Sequence, residues 1–223
     1  MAGADPIGKV RVTVKALLPI VALLPLAACA RTGEIDATGG ISAVRSACPI
    51  VGVPANLGDV TLFDPPTSQA QTAIDVVANM TNVRGACNDA GADIATTVTF
   101  TVQARRTRFD TARDVQLPYF IAAVRGGNQV AAKRVGTITL SFPAGQARAE
   151  ATGTATTSIT RSAATLPQEV RDRLTRRRKA GDEDAAIDPL TQPEVRRAVL
   201  NATFEALVGF QLNDAQLRYN ATR

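Results

Sequence analysis

The 223-residue chain contains no histidine, no tryptophan and only three cysteines. Without histidine, Ser-His-Asp and Cys-His catalysis, histidine metal ligands and histidine pH switches are all excluded. The sequence also lacks the Gly-x-Ser-x-Gly, Ser-x-x-Lys, P-loop and Gly-x-Gly-x-x-Gly motifs. Carboxylates are the main catalytic groups that remain, so we expect a protein that is not an enzyme and that uses no cofactor or metal.

A long hydrophobic run is also missing. The longest mostly apolar stretch, residues 16–28, is shorter than the roughly 20 apolar residues that a transmembrane helix needs. It follows a basic stretch, contains two prolines and ends in small residues (Lys9, Arg11, Lys15, Pro19, Pro25). A basic region, a short apolar run and small residues at the end are typical of a cleaved export signal. We therefore predict that residues 1–28 are a signal peptide.

Leu26-Ala27-Ala28-Cys29 closes the apolar run and resembles the lipobox of bacterial lipoproteins. The resemblance implies a diacylglyceryl group on the Cys29 sulfur, cleavage before Cys29 and acylation of the new amino terminus. Several acyl chains anchor a protein almost irreversibly, since each buried methylene contributes about 0.8 kcal/mol. Ala30 implies sorting to the outer membrane, because the usual inner-membrane retention residue is Asp. The alternative is ordinary signal peptidase, which would remove Cys29 and release a soluble periplasmic or secreted protein.

Lipidation of Cys29 would leave an even pair, Cys48 and Cys87. In an oxidising compartment such a pair favours a disulfide, which would stabilise the fold by up to roughly 4 kcal/mol. Two buried free thiols are the alternative. Residues 29–47 are small and polar, and we interpret them as the lipidated N-terminus and a flexible tether.

From about residue 48 to 160 the hydrophobic pattern has a period of two. In the clearest strand, Ile94–Ala104, apolar residues alternate with threonines, which predicts one buried and one wet face. Gly126-Gly127-Asn128 indicates a hairpin turn, and Pro118 indicates an edge or a bulge. The other predicted strands are 59–63, 74–81, 115–124, 129–135, 137–142 and 148–160. This pattern predicts a mainly β fold, an antiparallel Ig-like β-sandwich, with a small barrel as the alternative.

The tail changes to helical spacing, and two C-terminal helices are expected within residues 165–209. Thr165–Gln168 and Thr191–Glu194 match capping boxes with Pro in the first turn. The second helix would run past Phe204, end at Gly209 and pack on the sandwich, followed by a short strand, turn and strand. Residues 48–223 would then form one domain.

Two basic clusters invite a functional interpretation. Arg176, Arg177, Arg178 and Lys179 would suit anionic headgroups, lipopolysaccharide phosphates or peptidoglycan, or would be a solvated helix end. Residues 105–108, beside Asp110 and Asp114, would be a solvated loop with local ion pairs. Those two aspartates are the candidate general acid and base, with nothing to distinguish them from loop carboxylates. Residues 182–184 with Asp188 lack the spacing of a calcium loop.

Three stretches, 48–49, 57–63 and 117–120, are similar to uncharacterised envelope lipoproteins of Gram-negative alphaproteobacteria, and this resemblance implies no activity. We expect an outer-membrane-anchored periplasmic lipoprotein that acts as a non-enzymatic structural or protein-interaction module. Its partners would be the membrane, through the anchor, and an envelope protein or lipid. Nucleic acid is not expected, because the chain without residues 1–28 carries a net charge of only about +3. The alternatives are a carrier of a lipid or hydrophobic ligand and a carboxylate-dependent hydrolase.

Overall fold

The computed structural model describes residues 46–176, 179, 181–182 and 187–222. Cys29, the predicted signal peptide, almost all of the predicted tether, Arg177 and Arg178 lie outside these residues. The eight strands are β1 (Ile50–Gly52), β2 (Asp59–Phe63), β3 (Ile74–Asn88), β4 (Asp93–Arg106), β5 (Arg113–Arg125), β6 (Gln129–Phe142), β7 (Arg148–Thr160) and β8 (Phe204–Phe210). The helices are α1 (Arg161–Ala164), α2 (Gln168–Thr175), α3 (Pro193–Asn201) and α4 (Asp214–Thr222).

The strands form two four-stranded sheets with the orders β1-β8-β5-β6 and β2-β3-β4-β7. All neighbours are antiparallel except β1 and β8, which are parallel. The sheets pack face to face around one main apolar cluster, and β6 and β7 come together along one side. The predicted mainly β sandwich with C-terminal helices is therefore confirmed, with some half-barrel character.

Strand β4 shows how the sequence pattern produces the core. Its even-numbered side chains from Ile94 to Arg106 are all buried, whereas Gln103 and Arg105 on the other face are exposed. The pleat sends successive side chains to opposite faces, so the alternation of apolar and polar residues selects which face points inward. Strands β2 and β7 have the predicted bounds.

The hairpin between β5 and β6 turns at Gly126 and Gly127, whose φ angles are +60° and +80°. Both conformations are left-handed, which explains why glycine stands at both positions. After the turn, β6 is one strand rather than the two that were predicted. Pro118 lies beside the end of β8, where the Gln211 amide donates to its carbonyl at 2.9 Å. This position lies past the residues that pair with β8, so the ladder needs no donor from proline there. The prediction of an edge or a bulge at Pro118 is wrong, because β5 is a central strand and its register shift lies at Ala123–Val124.

A glycine in each sheet lies opposite an aromatic residue. Phe100 on β4 pairs with Gly153 on β7, and Tyr119 on β5 pairs with Gly136 on β6. A Cβ added at either glycine would come within 2.6 Å of the facing ring. The two rings meet edge to face across the interior, with centroids 5.0 Å apart. Both glycines thus make room for the central aromatic contact between the sheets.

The C-terminal part differs most from the sequence prediction. The second helix, α3, ends at Asn201, and Phe204–Phe210 forms strand β8 in the middle of a sheet. Phe204, Ala206, Val208 and Phe210 point inward and are buried, which is a period of two. Residues 214–222, predicted as turn and strand, form α4.

The two predicted capping boxes are also wrong. Helix α2 begins after Pro167 and α3 begins after Gln192, and neither start has a side-chain cap. The hydroxyls of Thr165 and Thr191 instead donate to the carbonyls of Arg161 and Asp188 at 2.7 Å. Pro193 does occupy the first turn of α3, as expected from its fixed φ. No helix within the described ranges is long and apolar enough to span a membrane.

Candidate functional site

The predicted disulfide is present. Cys48 and Cys87 are bonded, with their Cα atoms 6.0 Å apart. Cys48 lies just before β1 and Cys87 lies near the end of β3. The bond therefore fastens the start of the domain to the opposite sheet, because β1 and β3 belong to different sheets.

The predicted basic cluster at 176–179 is described only in part. Arg176 and Lys179 are exposed and follow the last turn of α2. The Arg176 amide donates to the Asp172 carbonyl, and the Lys179 amide donates to the Asp182 carboxylate, both at 2.9 Å. These contacts belong to a helix end and the turn that follows it.

The acidic candidates do not converge. Asp182 is engaged by the Lys179 amide, and Asp188 accepts from the Leu190 amide at 2.9 Å, so both carboxylates cap local turns. Glu183 and Asp184 lie outside the described residues. Asp110 and Asp114 are both exposed. Within the described part of the chain, no group of three or more acidic or cysteine side chains is arranged to hold a metal ion.

Residues 105–108 are not the solvated loop with local ion pairs that was predicted. Arg108 pairs with Asp64 and with the nearly buried Asp75, which also accepts from Arg113 at 2.9 Å. Asp64 follows the end of β2, Asp75 lies on β3 and Arg113 lies on β5, so the described ion pairs do not involve Asp110 or Asp114. The ion pairs join the loop after β4 to neighbouring strands, so their role is to hold this end of the sandwich together.

Arg106 is a second correction, because it is only 2% exposed. Its guanidinium donates to the Gln146, Phe109 and Pro143 carbonyls at 3.0, 3.3 and 2.8 Å and lies 5.0 Å from the centre of the Phe142 ring. Backbone oxygens and a ring face thus replace a carboxylate partner. Arg106 ties the loop between β6 and β7 to the end of β4.

Arg105, one residue earlier, points to the opposite face and lies in an open groove of about 910 Å³. The groove crosses the outer face of β3, β4 and β7, beside the short helical turn at 71–73. Strand register arranges its side chains in rows. The first row is Val77, Arg105 and Arg148, and the second is Asn79, Gln103 and Glu150.

The first row of this groove carries an excess of positive charge. Arg105 and Arg148 are direct cross-strand neighbours, and both are exposed. Neither side chain makes an ion pair or hydrogen bond with any residue that the structure describes. In the next row, the Gln103 amide donates to the Glu150 carboxylate at 3.0 Å. The first row therefore presents two adjacent exposed arginines, and the carboxylate of the second row already accepts a hydrogen bond from Gln103.

Beyond these two rows the same face of the sheet is lined with hydroxyls. Thr101 pairs with Thr152, Thr99 with Thr154 and Thr97 with Thr156. The hydroxyls of Thr97 and Thr156 are 3.3 Å apart. This face carries no large apolar side chain on these three rows, and four of its threonines are exposed although Thr101 is buried.

Sequence reasoning missed the groove because its key pair is separated by 43 positions in the chain (105 and 148). The periodicity placed Gln103 on the wet face of a strand that ended at Ala104, so it assigned Arg105 to a loop, and it did not indicate that β7 lies beside β4. A smaller hollow of about 50 Å³ lies between the sheets near Leu62, Leu117, Pro118 and Phe210. It is too small for a lipid chain.

Comparisons with models of protein families, with curated proteins and with solved structures find no match to this chain.

Proposed function

We propose that this protein is a lipoprotein anchored to the periplasmic face of the outer membrane, where it acts as a non-enzymatic structural or interaction module. The observation that carries the proposal is Leu26-Ala27-Ala28-Cys29 at the end of a short apolar run. That sequence combines a branched apolar residue, two small residues and a cysteine at the position where an export signal would be cleaved.

The disulfide supports export independently of the signal sequence. Disulfides form and persist in oxidising compartments such as the bacterial periplasm and are rare in the cytosol. Cys48 and Cys87 are bonded with ordinary Cα separation, and both belong to the part of the chain that would remain after cleavage. Cys29 is the one cysteine left for lipid attachment.

A surface-acting module is favoured over a carrier of hydrophobic ligands. The apolar side chains between the sheets pack on one another, and the groove on the outer face is open and carries charged and amide side chains beside its apolar ones. A carrier would enclose a continuous apolar cavity of several hundred cubic ångströms. The groove lining contains one carboxylate, Glu150, which gives the carboxylate-dependent hydrolase no pair of acids at that site.

The anchor is tested by changing Cys29→Ser in the full chain expressed in a Gram-negative host. We expect the variant to lose fatty-acid labelling and to leave the membrane fraction, because the sulfur that would carry the diacylglyceryl group is gone. Metabolic labelling, membrane fractionation and the intact mass of the mature protein measure this result.

The matched control is the double variant Cys48→Ser, Cys87→Ser, which removes the other two thiols and should retain the label. A wild-type protein whose mature N-terminus is Arg31, with no acyl mass, would contradict the lipoprotein assignment. That result would identify the exported, soluble form instead.

A further inference from the structure

We propose that the groove on the outer face of β3, β4 and β7 binds the acid group of an acidic glycan, with Arg105 and Arg148 as its anion-binding pair. This proposal does not depend on the lipid anchor, since every residue involved belongs to the described sandwich. It assigns to the surface a chemical class of ligand that neither the signal sequence nor the disulfide indicates.

The first step is the direct opposition of two like charges. Directly opposed residues on antiparallel strands have Cβ atoms about 4.5–5.5 Å apart, and like charges at such positions destabilise a sheet. Arg105 and Arg148 occupy such a position, and neither is neutralised by a described side chain. An oxyanion bound between the two guanidinium groups would attract both of them, so a favourable interaction would replace their mutual repulsion.

The second step is the geometry of the donors. Guanidinium groups bind carboxylate or phosphate through paired N–H donors, more strongly than neutral groups do. Arg105 and Arg148 project from adjacent strands into one groove, with the amides of Gln71 and Asn79 on its lining. Amide side chains both donate and accept, so they match hydroxyls that flank an acid group.

The number and spacing of the charges favour a glycan over a membrane surface as the ligand. Anionic bilayers attract clusters of four to eight cations, whereas this groove presents two exposed arginines together with Glu150. Successive rows on one face of a sheet are about 7 Å apart, and the rows beyond Glu150 present threonine hydroxyls. A hydroxyl-rich polymer with spaced acid groups fits this pattern better than a dense layer of headgroups.

Glu150 is expected to weaken binding of an acidic ligand, whereas the two arginines are expected to strengthen it. Its carboxylate lies one row from Arg148 on the same strand and is held by Gln103 at 3.0 Å. The Glu150 carboxylate would repel a second acid group of the ligand that lies over the second row. Replacing Glu150 with Gln keeps a hydrogen-bond acceptor for Gln103 while removing the charge.

The test is isothermal titration of the full-length chain with a tetramer of galacturonate, with the carboxyl-reduced neutral tetramer as the matched ligand. We expect the acidic tetramer to bind at least tenfold more tightly than the neutral one. Arg105→Gln and Arg148→Gln should each weaken binding at least tenfold, and Glu150→Gln should strengthen it about threefold. Arg134→Gln, an exposed arginine on β6 of the other sheet, should leave the affinity within twofold.

Inorganic phosphate and anionic phospholipid vesicles, titrated in parallel, distinguish the other sources of an oxyanion. Binding of vesicles or phosphate as tightly as the acidic tetramer would overturn the glycan assignment. No binding of the tetramer, equal binding of the neutral tetramer, or undiminished binding by both arginine variants would overturn it as well. Because all four substituted side chains are exposed, circular dichroism spectra should match that of the wild type and show that each variant is folded. Removing one of the two opposed arginines should not lower the melting temperature.

Discussion

The outer faces of the two sheets differ, although both sheets contribute equally to the core between them. On β5, Phe120, Ala122 and Val124 point away from the core and are still buried, where they pack with Leu57 and Leu207. Lys133 lies 5.0 Å from the centre of the Phe120 ring and covers part of the same face. Strand β4 instead presents threonines, Gln103 and Arg105 on its outer face.

This difference shows which surface is available for recognition. The sequence of β5 from 120 to 124 is continuously apolar, because a strand covered on both faces has no reason to alternate. The sequence of β4 alternates because one face meets water. A hydrophilic face that remains uncovered across three strands, with two unneutralised arginines at one end, is therefore the better place to look for a ligand.

The largest expected effect comes from placing a charge on the covered face. Val124 is 7% exposed and lies beside Glu205 across the β5–β8 ladder. Val124→Asp would bury a carboxylate without a cationic partner and next to another acid. We expect a loss of about 5 kcal/mol or outright unfolding, measured by urea denaturation.

The matched control places the same charge on the open face. Thr99 is exposed and pairs with Thr154 and Arg84. Thr99→Asp should change the free energy of unfolding by less than about 1 kcal/mol, the range of strand propensities. Equal destabilisation by both substitutions would mean that the two outer faces are covered alike, contrary to the structure.

The second prediction concerns Phe204, which lies at the start of β8 and is 5% exposed. Its ring packs between the sheets with Ile94, Ala123 and Ile159. Phe204→Ala should reduce the free energy of unfolding by about 3–5 kcal/mol, as expected for truncation of a buried aromatic residue. Phe109→Ala is the control, because Phe109 is 44% exposed and should cost less than about 1 kcal/mol. Chemical denaturation of both variants decides whether the burial is as described.

Phe204 also shows where the sequence was informative and where it was not. Its burial was predicted correctly, but the secondary structure was wrong. The segment 195–210 is rich in apolar residues, and such a run satisfies helical and strand spacing at once. The change occurs at Ala202–Thr203, where the helix ends and the inward residues begin to repeat every second position. A boundary inside a continuous apolar run is set by tertiary packing rather than by the local pattern.

Strands bounded by glycine or proline and carrying one wet face were predictable. Strand β7 has its predicted ends, and β4 extends only two residues beyond its predicted end and one before its start. Those two residues mattered, because continuing the alternation through Arg105 and Arg106 places one arginine outside and the other inside. The candidate site also required the pairing of β4 with β7, which no local pattern specifies. From the sequence, Gln103 was assigned to the wet face of this strand, whereas Arg105 was assigned to the loop that follows it.

The smallest expected effect tests how tightly the two sheets fit. Alanine at Gly153 would place a Cβ 2.4 Å from the Phe100 ring, which is 1% exposed and held against Tyr119. The ring has little room to move, so Gly153→Ala should destabilise the protein by about 1–3 kcal/mol through overpacking. The lower backbone entropy of the unfolded chain would offset roughly 0.4–1 kcal/mol of that loss.

Gly91→Ala is the control: its nearest neighbours lie beyond 3.5 Å and its φ is not left-handed, so the substitution should be neutral or slightly stabilising. If thermal melts show that Gly153→Ala is as stable as Gly91→Ala, then Phe100 does not fill the space over β7, and the contact between the sheets is looser than the edge-to-face packing of Phe100 and Tyr119 requires.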